Sequence, residues 1–306
     1  MEIMTGNPLV IAHRGGAGLA PENTLAAFKQ ALDLGVDGIE VDVLLTADQE
    51  VVVYHDYRLN PAITRDAEGS WLAAGTVPVV KDMTLARLKT YDVGRLQPGS
   101  TYARRYPQQK PRDEERIPTL REVISLMKEG KNNETTIWIE IKTSPVEANL
   151  CAPPEAVVDE VLEVLHHEDM EHRALILSFD WRALQYVQRR APAMPTVYLS
   201  VASLEKSNII GNGQGHSPWT AGFDIADFKG SIPQMVRTAG GTHWGPYYQE
   251  LTAPLLQEAH ELGLRVVAWT PDSLEDMERL QQIGVDAIVT NRPDLLLSHG
   301  PGSMEQ

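Results

Sequence analysis

What most constrains this chain is the order in which two hydrophobic rhythms follow one another. Short apolar, β-branched runs alternate with amphipathic stretches along the length of the sequence. Such alternation is the signature of a parallel sheet covered by helices. Strands are predicted at Leu9–His13, Gly38–Leu44, Thr136–Lys142, Ala174–Ser178, Thr196–Ser200, Thr242–Pro246, Arg265–Thr270 and Asp286–Thr290. Helices are predicted at Thr24–Leu34, Thr119–Lys128, Pro154–His166, Trp181–Arg190, Thr252–Leu262 and Ser273–Ile283. Asn23 is read as the N-cap of the first of these, and Gly263 and Gly284 stand where helix C-termini favour a left-handed residue. Eight strands in this order suit an α/β fold, a (β/α)8 TIM barrel formed as one domain over residues 1–306.

One run breaks the alternation. Glu50–His55 reads as a strand, but only Leu45–Gln49 separates it from the second strand. That gap is too short for the crossover between parallel strands, so the run is expected to be an antiparallel extension folding back over the barrel mouth. Residues 57–117 then form a small insertion subdomain, with one helix predicted at Thr84–Tyr91. A loop region of this length is expected to serve as a lid or cap. Ser298–Gln306 reads as a disordered tail.

A net charge of −15 argues against a nucleic-acid groove or an anionic membrane surface, both of which reward clustered Lys and Arg. It leaves room for an anionic substrate, because a divalent cation reverses the local field. Cys151 is the only cysteine, so neither an intrachain disulfide nor a cysteine-based zinc site can form. No apolar run approaches the roughly 20 residues that span a bilayer. The first residues lack a basic segment followed by an apolar one, so a cytoplasmic protein without a signal peptide is expected.

Chemistry gathers at the strand ends. Period-two spacing puts Glu40 and Asp42 on one face of their strand and Val41 and Val43 on the other. An isolated pair of this kind would be read as salt-bridged. Here the fourth strand-like run repeats the pattern with Glu140 and Lys142, and C-terminal strand ends of a barrel converge on one mouth. A hard divalent cation, Mg²⁺ or Ca²⁺, is the simplest compensation for several buried acids. Arg14 and Lys142 suit the oxygens of a phosphate. His13 and His55 close apolar strands beside these acids, and imidazoles so placed suit acid–base work. Phosphodiester cleavage needs such a pair, one group activating the attacking oxygen and one protonating the leaving oxygen. The run Gly15-Gly16-Ala17-Gly18 does not complete a dinucleotide fingerprint, because Pro21 stands where glycine or alanine is needed.

These residues resemble a known pattern. Ile11-Ala12-His13-Arg14-Gly15 with Pro21-Glu22-Asn23-Thr24, then Ile39-Glu40-Val41-Asp42-Val43, then His55-Asp56, are similar to the motifs of glycerophosphodiester phosphodiesterases. The likeness continues through Ile117-Pro118-Thr119-Leu120, Ile139-Glu140-Ile141-Lys142, Ser178-Phe179-Asp180 and Val267-Ala268-Trp269-Thr270. It implies hydrolysis of small-molecule glycerophosphodiesters to sn-glycerol 3-phosphate and an alcohol, dependent on one divalent cation. It further implies His13 and His55 as the acid–base pair, and Glu40, Asp42 and Glu140 as metal ligands. Arg14 and Lys142 would contact phosphate, and Trp269 would pack on the glycerol. Which histidine is acid and which base stays open, as does direct water attack against a cyclic intermediate. Glu22 is read as either a support for the site or a solvated carboxylate. Pro271-Asp272 departs from the Val-Asn of many relatives. Lysophospholipase D-like chemistry and a non-catalytic phosphodiester-binding barrel are the rival readings.

Other polar residues are expected to be structural. His166, His167 and His172 read as solvated, and His243 as a structural residue. Arg104, Arg105, Lys110 and Arg112 read as a solvated patch offset by Asp113-Glu114-Glu115. Gly211–Gly215 reads as a flexible loop, with nothing in the spacing of the nearby His216 and Trp219 requiring a role in the site.

Overall fold

A computed structural model describes residues 7–73, 75, 77–130, 134–203, 207–211 and 216–299. Among the described residues nine strands form one sheet: β1 Leu9–Ala12, β2 Gly38–Leu45, β3 Val51–Val53, β4 Thr136–Ile141, β5 Ala174–Ser178, β6 Thr196–Ser200, β7 His243–Pro246, β8 Arg265–Trp269 and β9 Ala287–Thr290. Their order is β1-β9-β8-β7-β6-β5-β4-β2-β3, and β1 also pairs with β2. Eight parallel strands therefore close into a ring, and β3 alone runs antiparallel, against β2. A helix follows each of the eight ring strands, as the alternation requires.

The helices begin where side-chain caps allow. Thr119 and Glu122 make a reciprocal capping box before Leu120–Glu129, satisfying two backbone donors that would otherwise be unpaired. Thr24 caps Leu25–Leu34 by accepting from the Ala27 amide, so Asn23 is not the cap. Gly284 ends Leu274–Ile283 at φ 91°, the left-handed conformation that a Cβ would penalise. The predicted helix at Thr84–Tyr91 is a single turn, Leu85–Leu88. Ser298 is not in a tail but is the last residue of the helix Pro293–Ser298. Residues 300–306 and most of the Gly211–Gly215 loop lie outside the described residues.

Alternate strand residues divide between two cores. Val10, Ala12, Ile39, Val41, Val43, Ile137, Ile139, Ile141 and Ile176 face the helices. Ile11, Trp138, Leu177, Val197, Leu199, Val267, Ala287 and Val289 fill the barrel interior. Gly38 shares that interior phase with Glu40 and Asp42. A Cβ there would stand 2.7 Å from Trp138 Nε1 and 2.8 Å from Ile11 Cδ1, so the indole fills the space that glycine leaves. The insertion has its own small core, with Leu59, Ile63, Val80, Leu88, Tyr91 and Ile117 packed on Leu44 and Val52 of the β2–β3 hairpin.

His243 lies at the N-terminal end of β7, on the barrel floor away from the mouth, with its ring edge-on to Trp138. Burial, helped by nearby Arg265, pushes its imidazole down from 6.5 to about 4. The unfolded chain therefore binds a proton that the folded protein refuses as pH falls from about 6.5 towards 4, and stability drops across that window. The full difference is about 3 kcal/mol. Urea denaturation of His243→Gln at pH 7 and pH 4 is expected to show a pH-dependent loss smaller than wild type by up to this amount. An unchanged pH dependence would contradict the assignment.

Candidate active site

The ring is completed unusually at β2. β1 pairs with it only at Gly38 and Ile39, and β3 pairs with it at Val43, Leu44 and Leu45. Between these two ladders lies a short open lane beside Glu40 and Asp42. His13 and Arg14 enter the lane from the end of β1. His55 enters from the opposite direction, two residues beyond β3. The Arg14 amide donates to Glu40 Oε2 at 2.8 Å, and the Tyr54 amide donates to the Asp42 carbonyl at 2.9 Å. His55 is thus attached directly to a barrel-paired strand. The expected antiparallel extension is what is found, with β3 belonging to the same sheet as β2.

Glu40 and Asp42 from β2 and Glu140 from β4 are buried, and each offers a carboxylate oxygen within 4.8 Å of the others. Register explains the meeting, since Asp42 stands opposite Glu140 in the parallel ladder. Glu40 Oε1 and Asp42 Oδ1 are buried and have no hydrogen-bond partner among the described residues. Burial, and then the like charges of Asp42 and Glu140, push the Glu40 carboxyl well above its ordinary range. Burial acts the same way on Asp42, but Arg14, the two histidines and Lys142 hold its carboxyl well below the usual range. Buried carboxylate oxygens without donors are costly, and a hard cation with oxygen ligands fits this donor set.

Two cations border the acids. Arg14 Nε lies 3.0 Å from Asp42 Oδ2, and its Nη1 donates to Glu22 at 3.0 Å and to the Tyr102 hydroxyl at 3.2 Å. Tyr102, from the insertion helix Thr101–Arg105, also donates to Glu22 Oε2 at 2.6 Å. Glu22 is therefore a buried support and not a solvated loop carboxylate. Lys142 donates to Glu140 Oε1 at 2.7 Å and lies 3.6 Å from Asp42 Oδ1. Although burial opposes it, the pairing with Glu140 and Asp42 holds its ammonium above the ordinary lysine value.

Asn23 takes a left-handed backbone conformation, and its amide nitrogen donates to Asp42 Oδ2 at 2.9 Å. Its side chain braces an acid, where the sequence suggested a helix cap first and a site residue only second. His13 Nδ1 lies 2.7 Å from Asn291 Oδ1, and His13 Nε2 lies 3.9 Å from Glu40 Oε2. Burial and the neighbouring Arg14 push the His13 imidazole down to about 3. His55 Nδ1 pairs with Asp56 at 2.6 Å, and Asp56 is in turn held by Asn60 Nδ2.

Sequence reading missed Asn291, Asp272 and Tyr102. Asn291 follows β9 in phase with interior Ala287 and Val289, as His13 follows β1 in phase with Ile11, so the same period-two rule would have found it. Tyr102 carries no comparable signal, because a five-residue helix in an insertion takes its place from tertiary packing.

Beside Glu140 and Lys142 opens a cavity of about 610 Å³ whose walls include Tyr57, Phe179, Val201, Trp219, Tyr247 and Trp269. Phe179 and Tyr247 each pack against Trp269, at ring centroid distances of 5.2 Å. His166, His167 and His216 lie elsewhere on exposed surface, each paired with a nearby acid. Asp113 does not offset the basic patch at 104–112, because it pairs with Arg65 and Arg95. No helix among the described residues is long and apolar enough to cross a membrane.

Known proteins share this arrangement of elements. Residues 13–295 match the Glycerophosphoryl diester phosphodiesterase family. A glycerophosphodiester phosphodiesterase of Caldanaerobacter subterraneus subsp. tengcongensis is 32% identical over 290 residues, covering 95% of this chain and 96% of that protein. A solved structure from Silicibacter pomeroyi, a candidate glycerophosphoryl diester phosphodiesterase, is 36% identical with a TM-score of 0.84, covering 95% of this chain and 92% of that one. An Oleispira antarctica phosphodiesterase, solved with the product sn-glycerol-3-phosphate, shares the fold at 23% identity and a TM-score of 0.68, covering 95% of this chain and 96% of that one. With a barrel mouth of this composition and a match that runs through nearly all of the sequence, the chain belongs to the glycerophosphoryl diester phosphodiesterase family.

Proposed function

We propose that the protein hydrolyses glycerophosphodiesters to sn-glycerol 3-phosphate and an alcohol, with one divalent cation, Mg²⁺ or Ca²⁺, held by Glu40, Asp42 and Glu140. The observation that carries this reading is the buried acid triad, two of whose oxygens lack any donor while two histidines and two cations border it. Family membership and the phosphodiesterases among the relatives support the reaction class. When bound, the cation supplies positive charge against the phosphoryl oxygens. Arg14 and Lys142 add donors for those oxygens. One of His13 and His55 takes a proton from the attacking oxygen while the other gives one to the departing alkoxide. Glu22 and Tyr102 keep the Arg14 guanidinium turned towards the site, and Trp269 packs against the glycerol carbons.

A second reading has its own support. The aromatic cavity beside Lys142 is large and largely apolar in its walls, which suits a substrate whose glycerol carries an acyl chain, as in lysophospholipase D chemistry, where the head-group alcohol departs and the acyl chain stays with the glycerol phosphate. Assays with glycerophosphocholine and lysophosphatidylcholine, after cation removal and again after adding Mg²⁺ or Ca²⁺, test both. Cation-dependent release of sn-glycerol 3-phosphate from glycerophosphocholine is the expected result. Preference for the lysolipid would move the assignment to the second reading, and no cation-stimulated product from either would overturn both.

A further inference from the structure

We infer that Asp272 is a positioning residue for His13, acting through Asn291 to fix which ring nitrogen carries the proton. This rests on the two-histidine reading above. Asp272 sits in the loop after β8, and both its oxygens are committed to one neighbour. Oδ1 accepts from the backbone amide of Asn291 at 3.0 Å, and Oδ2 accepts from Asn291 Nδ2 at 2.9 Å. Thr290 Oγ1 adds a longer contact to Oδ1 at 3.4 Å. A carboxylate can only accept, so the Asn291 side chain must present its nitrogen to Asp272 and its oxygen to His13. Asn291 Oδ1 also can only accept, and it stands 2.7 Å from His13 Nδ1. The proton of a neutral His13 ring is therefore on Nδ1. The lone pair is on Nε2, the nitrogen that lies on the side of Glu40 and the other acids. His13 is thus held in the tautomer that accepts a proton at the reaction centre, and the charge that holds it is one residue removed from the ring.

The Asn291 backbone N–H gives this chain of bonds its direction, because it cannot be reversed. In Asp272→Asn the new side chain must still turn its oxygen to that amide, which leaves its nitrogen facing Asn291. Asn291 then rotates its amide by half a turn, and its nitrogen faces His13. The ring has to accept at Nδ1 and carry its proton on Nε2, the wrong tautomer for taking a proton from substrate. Exchanging both residues repairs the pattern. In the double variant Asp272→Asn with Asn291→Asp, the new amide at position 272 accepts from the backbone N–H of position 291 and donates to the new carboxylate there. That carboxylate then accepts from His13 Nδ1.

The test uses full-length protein labelled with ¹⁵N-histidine, with His13 assigned by comparison with His13→Gln and its ring nitrogens read by NMR at pH 8. Wild type is expected to show the proton on Nδ1, Asp272→Asn on Nε2, and the double exchange on Nδ1 again. With cation saturating, kcat of Asp272→Asn is expected to fall about 10- to 100-fold with KM little changed, and the double exchange is expected to recover most of it. Retention of the Nδ1 proton in Asp272→Asn would overturn the inference, as would a loss of kcat that the double exchange leaves unrepaired. Thermal unfolding of each variant separates a fold defect from a change of tautomer. If His13→Gln itself retains turnover, the two-histidine reading fails, and the tautomer measurement still decides whether Asp272 orients the ring.

Discussion

Replacing His55 with alanine is expected to lower kcat by about 10²- to 10⁴-fold, the range that a positioned acid or base contributes. His55 reaches the site from a half-exposed position, paired with Asp56. Its removal leaves no buried group stranded, so stability should stay within about 0.5 kcal/mol of wild type. His13→Ala is expected to cost at least as much turnover, together with about 1–3 kcal/mol of stability, because Asn291 Oδ1 loses its partner. Initial rates on glycerophosphocholine at saturating cation, beside urea unfolding curves, separate the two effects. A His55→Ala enzyme within tenfold of wild type would remove that residue from the proton-transfer pair.

The second large effect concerns the acids. Glu40→Gln is expected to abolish cation-dependent turnover and to eliminate the cation's effect on thermal unfolding. Wild type should gain about 2.7 kcal/mol when the cation is present at a hundredfold its Kd. The variant keeps an oxygen for the Arg14 amide and turns an NH₂ towards Asp42 and Glu140. It therefore relieves like-charge crowding in the cation-free protein, whose melting temperature should equal or exceed that of wild type. Opposite signs in the two conditions are the signature, read by calorimetry with EDTA and then with Mg²⁺ or Ca²⁺. A Glu40→Gln protein that melts like wild type in both conditions would exclude Glu40 from the ligand set.

Much of this was legible from the sequence because two periodicities carry it. Alternating strand and helix rhythms located all eight ring strands to within a residue or two of each end. The five-residue gap before Glu50 identified an antiparallel hairpin. Period-two spacing placed Glu40, Asp42, Glu140 and Lys142 on the interior face, because every second residue of a barrel strand must point there. What escaped was contact between distant segments. Asn23 has a cap-forming side chain next to a helix start, and local propensity cannot tell that Thr24 caps while Asn23 turns to Asp42. The departure at Asp272 put that loop's contacts in doubt, yet this residue has both oxygens occupied by Asn291. Tyr102 reaches Arg14 from 88 residues away, through a subdomain whose packing no short pattern encodes.

The meeting of His13 with Asn291 also has a temporal side. The two residues are 278 positions apart, and at roughly 5–20 residues per second a ribosome makes them tens of seconds apart. Glu140 precedes Asn291 by 151 residues, and His13, Glu40, Asp42 and His55 come earlier still. The partner inferred to orient the His13 ring is therefore made after all five of these residues. Until Asn291 is made, the nascent chain therefore holds the proposed cation ligands and histidines without the group inferred to fix the His13 tautomer. On the inference drawn above, the His13 tautomer is fixed only when the ninth strand docks beside the first.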